Sequence, residues 1–285
     1  MSDHSLIEWT DATWNPVTGC TKVSPGCAHC YAERLSHRFR HSPKFAGTVH
    51  ENGRWTGTIK THPAVLDEPL RWRKPRTVFT CSMSDLFHAG VEPEFLDRVF
   101  AVMALCPQHT FQVLTKRSQR MAEFCSRFNR AMPFEGGTLA LLFPPNIWLG
   151  VSVENQEFAD RRIPHLLRTP AAVRFLSCEP LLGPIDLKGR PRPDMCLHCG
   201  GLADEPHLGH TYRTDGLDWV IVGAESGPRA RVMELDWARF IVSQCQVASV
   251  PVFVKQLCKD GRKIPFEQWP EDLKVREWPK GRVVA

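Results

Sequence analysis

Six short apolar runs, each closing on a polar cluster, limit what this chain can fold into. They are TVFTCSMSD (residues 77–85), TFQVLTKR (110–117), IWLGVSVEN (147–155), VRFLSCEP (173–180), DWVIVGAESG (218–227) and VPVFVKQL (250–257). Runs rich in β-branched residues and lacking polar alternation predict strands buried on both faces, as in a parallel sheet. Helix-period segments lie between them. Residues 92–106 place Phe95, Val99, Val102 and Met103 on one face, and residues 235–248 do the same with Leu235, Ala238, Ile241 and Val242. Residues 118–128 and 157–168 are two further predicted helices, the second expected to break or kink at Pro164. This alternation points to an α/β fold, a partial or complete (β/α) barrel, because each polar cluster sits at the carboxyl end of its strand, where barrels place their chemistry. An open doubly wound sheet would do likewise, but no G-x-G-x-x-G or Walker sequence is present to favour it.

The whole chain, residues 1–285, reads as one barrel domain, with residues 183–217 as a small Cys/His-containing insertion. Residues 40–76, rich in Pro, Gly, Trp and basic side chains, fall outside the alternation, and the tail after Leu257 is expected to pack as an irregular flap. No apolar stretch approaches the length of a membrane span, so no membrane partner is expected. The polar start MSDHSLIEWTD lacks the apolar core of a secretory signal, which predicts a cytoplasmic protein. The formal net charge of +5 is compatible with a nucleic-acid partner without requiring one. Eleven cysteines in a chain without an export signal point to metal ligands where they cluster and to buried thiols where they scatter.

The main cluster is Cys20, Cys27 and Cys30, in NPVTGCTKVSPGCAHCYAERL (residues 15–35). Pro25 and Gly26 predict a turn before the second cysteine, and residues 31–35 predict a helix after the third. Three thiolates converging from such a loop can hold three irons of a [4Fe–4S] cube and leave the fourth open to the amino and carboxylate groups of S-adenosylmethionine. The competing reading is a closed zinc site completed by His29 or His37. The loop's place, early in the chain and ahead of a barrel, favours the cluster.

The motifs WNPVTGCTKVSPGCAHCYAE, FTCSMSDLF, VLTKR, LGVSVEN, RFLSCEPLLGPI, WVIVGAESG and VPVFVKQL span most of the chain. In them the sequence resembles the radical S-adenosylmethionine superfamily, and more closely a phage-associated family named after phage gene products thirty-seven and sixty-eight. The superfamily's usual spacing is C-x3-C-x2-C with an aromatic residue before the last cysteine; here the first gap is six and His29 takes the aromatic place. The resemblance implies reductive cleavage of the cofactor to a 5′-deoxyadenosyl radical, an electron donor of flavodoxin or ferredoxin type, and a host-cell cytoplasmic setting if the protein is phage-encoded.

Carried over by position, Ser82, Ser84 and Asp85 occupy the superfamily's site for the cofactor amino group, with Asp85 in place of the usual acid, and Ser152 and Asn155 its site for the ribose hydroxyls. Lys116 and Arg117 end the third strand and could meet a carboxylate or phosphate. Glu154, Glu179, Glu225 and Lys255 close the other strands as candidate catalytic groups; the alternative is internal ion pairs at the barrel mouth. In the insertion, Cys196, Cys199, His207 and His210 fit a small zinc site, with an auxiliary cluster or no metal as alternatives. The six remaining cysteines read as core thiols.

Basic and aromatic residues interleave in residues 54–76 and 116–130, a pattern suited to phosphate contact and base stacking. Arg71, Arg73, Lys74 and Arg76 are expected to grip DNA across the barrel mouth, with Trp72 as a stacking face. The expected activity is hydrogen abstraction from a nucleotide or DNA base, with isomerisation of a hypermodified thymine in phage DNA as one form and a base-damage lyase or repair reaction as another. A zinc-stabilised nucleic-acid-binding protein without catalysis is the alternative of a different class.

Overall fold

The structure is a computed structural model and describes residues 5–129, 131–134, 137–187, 216–227, 230–259 and 262–280. A short strand, β1 (Ala12–Trp14), precedes the six apolar runs, which form β2 (Thr77–Thr80), β3 (Thr110–Thr115), β4 (Ile147–Ser152), β5 (Arg174–Cys178), β6 (Trp219–Gly223) and β7 (Val252–Gln256). They lie side by side in chain order as one seven-stranded sheet, every neighbouring pair parallel. The sheet curls into a half-barrel, and its first and last strands do not pair with each other. Of the two forms expected, it is the partial one.

Period-two alternation along the strands divides their side chains between two cores. Val78, Val113, Leu149, Leu176, Val220 and Val252 face the helices. Those helices are α1 (Tyr31–Arg38), α2 (Pro93–Ala104), α3 (Ser118–Cys125), α4 (Gln156–Leu167) and α5 (Leu235–Val247). Helix α2 buries Phe95, Leu96, Val99, Phe100 and Met103, and α5 buries Ala238, Ile241, Val242 and Cys245. Val102 and Leu235, expected on those faces, are only partly buried. The inner face carries a second cluster of Trp9, Phe79, Trp148, Val173, Phe175, Trp219, Ile221 and Phe253. Gly150 sits in this face because a Cβ there would fall 2.5 Å from the Phe175 ring.

Two elements depart from the sequence reading. The run of residues 77–85 is strand only as far as Thr80: Cys81 adopts φ 62°, in the left-handed region, and turns the chain out of the sheet. Helix α4 runs through Pro164 to Leu167. The proline therefore does not interrupt the helix; its missing N–H costs one backbone hydrogen bond. The described residues of the tail after Leu257 carry regular structure. It forms a small antiparallel pair, Cys258–Lys259 with Arg262–Lys263, and then lies along β7, where Val254 N donates to Val275 O (2.9 Å) and Phe253 bridges to Arg276. Trp278 packs edge-on against Phe253 at 4.8 Å, so the tail covers a sheet edge that would otherwise expose unpaired backbone. Among the described residues no helix is long and apolar enough to cross a membrane.

Candidate functional site

Above the aromatic inner core, the half-barrel opens at the carboxyl ends of its strands into a cavity of about 730 Å³. Cys20, Cys27 and Cys30 all line it, together with Ser82, Ser84, Asp85, Lys116, Ser152, Glu179, Glu225 and Lys255. Residues from six strand ends and the loop after β1 are thus gathered around one space. Glu154 and Asn155 do not line it. Glu154 is fully buried between Arg162 (3.0 Å), Lys116 (3.5 Å) and the Ser24 hydroxyl (2.5 Å). Asn155 is engaged at the start of α4, its side-chain oxygen accepting from Phe158 N (3.2 Å).

The cysteine loop is held from several directions. Arg117 donates from Nη1 to Asp85 (2.9 Å) and to Cys20 Sγ (3.7 Å), and from Nη2 to the Thr21 carbonyl (3.1 Å) and hydroxyl (2.8 Å). Arg231 Nη2 donates to Pro25 O (2.9 Å), and Tyr31 donates its hydroxyl to Ser82 O (2.7 Å). A Cβ on Gly26 would lie 2.4 Å from Glu154 Oε1, so only glycine lets the loop close onto that buried carboxylate. The loop's one acidic anchor on α1, Glu33, holds Lys22 (2.8 Å) and the Trp55 N–H (2.9 Å).

The strand-end acids are all engaged. Asp85 accepts from Thr115 Oγ1 (2.6 Å), Lys116 N (3.0 Å) and Phe87 N (3.0 Å) besides Arg117. Glu179 pairs with Lys255 (2.9 Å) and accepts from Ser177 (3.3 Å). Glu225 takes the Arg231 guanidinium (2.5 Å) and His29 Nδ1 (2.9 Å). Burial pushes the Glu225 carboxyl up, but the bonds from Arg231 and His29 outweigh it and bring it down to about 2. Burial, with the Asp85 charge, pushes the Cys20 thiol up to about 12 against the pull of Arg117, and burial raises Cys30 as well. Burial first, then Cys30 and Glu179, raise Tyr31 and keep its hydroxyl protonated.

His88 Nδ1 accepts from Gly90 N (3.0 Å), which assigns its proton to Nε2, facing the Thr21 hydroxyl (2.8 Å). Burial and the Arg117 charge lower its pKa to about 4, so the ring is neutral.

Among the described residues, no three His, Cys, Asp or Glu side chains are grouped so as to hold one metal ion. A cube binds each thiolate to a different iron and so needs sulfurs spread around a space. Of the histidines that could close a zinc site, His29 gives Nδ1 to Glu225 and keeps Nε2, and His37 Nε2 lies against Glu51 O (2.8 Å). Cys196, Cys199, His207 and His210 lie outside the described residues. The six other cysteines are free and buried, as expected of core thiols.

One expectation about the nucleic-acid face is overturned. Arg71, Arg73, Lys74 and Arg76 immediately precede β2, and Arg76 O accepts from Thr110 N at the start of β3. They therefore lie at the amino end of the sheet, opposite the mouth. Trp72 is no open stacking face: it packs on His109 with ring centroids 5.4 Å apart, and the Arg76 guanidinium lies 5.2 Å over its ring. Arg71 pairs with Asp67.

Several site residues were missed in the sequence. Arg162 carried a signal, since it falls on the buried stripe of Phe158, Ala159, Ile163 and Leu166, and a buried arginine requires a carboxylate. Trp55 lay inside the basic and aromatic run of residues 54–76, though not singled out in it; Tyr31 and Arg231 carried none.

Fold and site together define an α/β half-barrel with a three-cysteine loop at its carboxyl mouth. The chain belongs to a family described as proteins of unknown function, DUF5131, which matches residues 4–278. No curated protein and no solved structure matches it.

Proposed function

We propose that the protein is a radical S-adenosylmethionine enzyme acting on a nucleotide or DNA-base substrate. The observation that carries this reading is the placement of Cys20, Cys27 and Cys30 around one cavity at the carboxyl mouth of a curled parallel sheet, facing polar groups from the other strand ends. Three loop thiols would leave one iron of a cube open, and Cys81, which also lines the cavity, is buried at the turn after β2. When bound there, a [4Fe–4S] cluster with S-adenosylmethionine supplies a carbon-centred radical able to take hydrogen from an unactivated carbon.

The chain's own residues supply binding and order. Arg117 and Asp85 fix the first cysteine, while Glu154, through Ser24, fixes the segment before the second. The β2 turn at Ser82 and Ser84, with Lys116 and Ser152, offers hydroxyls, carbonyls and a cation to the cofactor's polar ends. Asp85 already accepts four hydrogen bonds, so the cofactor amino group would compete with Arg117 for it. On the far wall, Lys255 keeps donors beyond the one given to Glu179, and beside the cysteine loop Tyr31 holds a proton on its hydroxyl. The aromatic inner core closes the cavity floor against water.

The test is anaerobic reconstitution with iron and sulfide, followed by metal analysis, electron paramagnetic resonance of the reduced protein and chromatography for 5′-deoxyadenosine. We expect close to four irons per chain, a reduced-cluster signal and cofactor cleavage, all lost in Cys20→Ala, Cys27→Ala and Cys30→Ala. A colourless protein that takes up zinc alone would overturn the reading in favour of a binding protein, as would a single cysteine variant with full iron and activity.

A further inference from the structure

Two hollows meet at the mouth of the half-barrel. One is the cysteine cavity; the other is a groove of about 760 Å³ running outside it, along α1 and the loop of residues 52–57. Thr21, His29 and Trp55 line both. The two differ in chemistry. The cavity has aromatic and aliphatic walls from Trp9, Phe79 and Leu114, whereas the groove brings together Lys22, Arg34 and Arg54. Its one carboxylate, Glu33, is already bonded to Lys22 and to the Trp55 N–H. Arg34 gives a single hydrogen bond, to Ser226 O (3.2 Å), and the Arg54 side chain has no partner among the described residues. The groove therefore presents cationic donors in excess of what the fold uses, and an indole stands where it passes into the cavity.

We propose that this groove is the track of a single-stranded polynucleotide, and that Trp55 is the lip over which one base turns into the cavity. A polynucleotide strand supplies what the two hollows require together: phosphates for the cations outside, and a flat aromatic ring to pass an indole into a largely apolar space. The cavity volume lies within the roughly 300–1,000 Å³ of small-ligand sites, enough for a base with its sugar. An acidic protein would meet the cations but has no use for an indole recessed between groove and cavity. A base in a duplex would first have to leave its stack, so single strands are favoured. The fate of the base rests on the proposed function; the ligand of the groove does not.

The test is fluorescence anisotropy of a labelled single-stranded DNA oligonucleotide against the full-length protein over a range of salt. Arg34→Gln with Arg54→Gln should weaken binding and reduce the slope of log K against log salt by about 1.4, two contacts at roughly 0.7 each. Trp55→Leu, which keeps bulk, should cost about tenfold in affinity, and Trp55→Phe should restore most of it. Arg73→Gln with Lys74→Gln, at the opposite end of the sheet, should leave both affinity and slope unchanged. The proposal is overturned if the oligonucleotide fails to bind at low salt, if the opposite-end pair rather than the groove pair sets the slope, or if the groove pair abolishes binding of an acidic redox protein while sparing DNA. Iron content and cofactor cleavage are measured on the same preparations. Groove-dependent DNA binding without a cluster would refute the enzyme and leave the groove standing; a competent cluster with groove-independent binding would do the reverse.

Discussion

Arg117 ties Cys20 to Asp85 and to Thr21 at once, with one of its side-chain hydrogen bonds directed at sulfur. A hydrogen bond and a positive charge beside a cluster ligand stabilise the reduced, more negative state. Under the proposed function, Arg117→Met should retain iron but lower the cluster's reduction potential by several tens of millivolts, with about 60 mV corresponding to 1.4 kcal/mol for one electron. Arg117→Lys, which keeps the charge without the guanidinium fork, should recover part of the shift. Potentiometric titration followed by electron paramagnetic resonance reads this directly, and an unchanged potential in both variants would refute the role. Gly26 and Glu154 act as a pair beneath the same loop. Glu154→Gln leaves Arg162 buried without its counter-charge, and breaking such a pair costs about 3–5 kcal/mol. Removing both partners, with Glu154→Met and Arg162→Met, should restore most of that stability but not iron retention, because Ser24 then loses its acceptor. Urea titration checks the first statement and metal analysis the second. A stable, iron-replete Glu154→Gln would show that the carboxylate is not the loop's anchor.

At the scale of elements, the strands do two jobs through one alternation. Their helix-facing residues are mostly aliphatic, with Trp14 and Phe111 as exceptions, and fill the outer core; their inner residues are mostly aromatic low in the half-barrel and polar at its mouth. Trp219 is the hub of the aromatic part, with ring centroids 6.4 Å from Trp9, 6.2 Å from Trp148, 5.9 Å from Phe175 and 6.3 Å from Phe253. Trp219→Ala should destabilise the protein by about 3–5 kcal/mol, seen as a lower urea midpoint, whereas Leu105→Ala, at an exposed position, should change it by less than about 0.5 kcal/mol. Equal effects would mean that the inner cluster is not a core. Much of this architecture was legible in the sequence. Six runs gave six strands in the right order, the amphipathic stripe of α2 gave most of its buried face, and the cysteine spacing gave the loop. What escaped notice depended on contacts between distant parts of the chain. Arg231 reaches Pro25 and Trp55 reaches the Glu33 carboxylate, pairings that no local periodicity encodes. The basic run at residues 71–76 misled for a related reason: composition marks a surface, but only topology says which end of the sheet carries it.

For the molecule as a whole, buried and half-buried histidines set the response to acid. Burial is the leading cause at each of four rings: it lowers His62 and His88 to about 4, and it also lowers His109 and His165. Lys44 and Lys60 add to the effect at His62, and Arg117 at His88. All four are neutral in the folded protein at pH 7. In the unfolded chain they titrate near 6.5. Between pH 6.5 and about 4 the unfolded state therefore binds more protons, so stability rises with pH across that window and is lost as pH falls through it. Glu225, held down at about 2, adds a loss only in stronger acid, whereas Glu68, raised by burial, offsets a little of the histidine effect. The rings are spread over the molecule, from the β1 side (His62, bonded to Thr18) to α4 (His165, bonded to Ser118), so the destabilisation is global rather than confined to the mouth. We expect Tm of the metal-free protein to fall by roughly several degrees between pH 7 and pH 5, with His109→Gln showing a shallower fall because its ring is fully buried and its partner is the Pro69 carbonyl. Differential scanning calorimetry across that range decides the matter. A Tm that holds steady or rises on acidification would show that these histidines bind protons as readily in the folded state as in the unfolded chain.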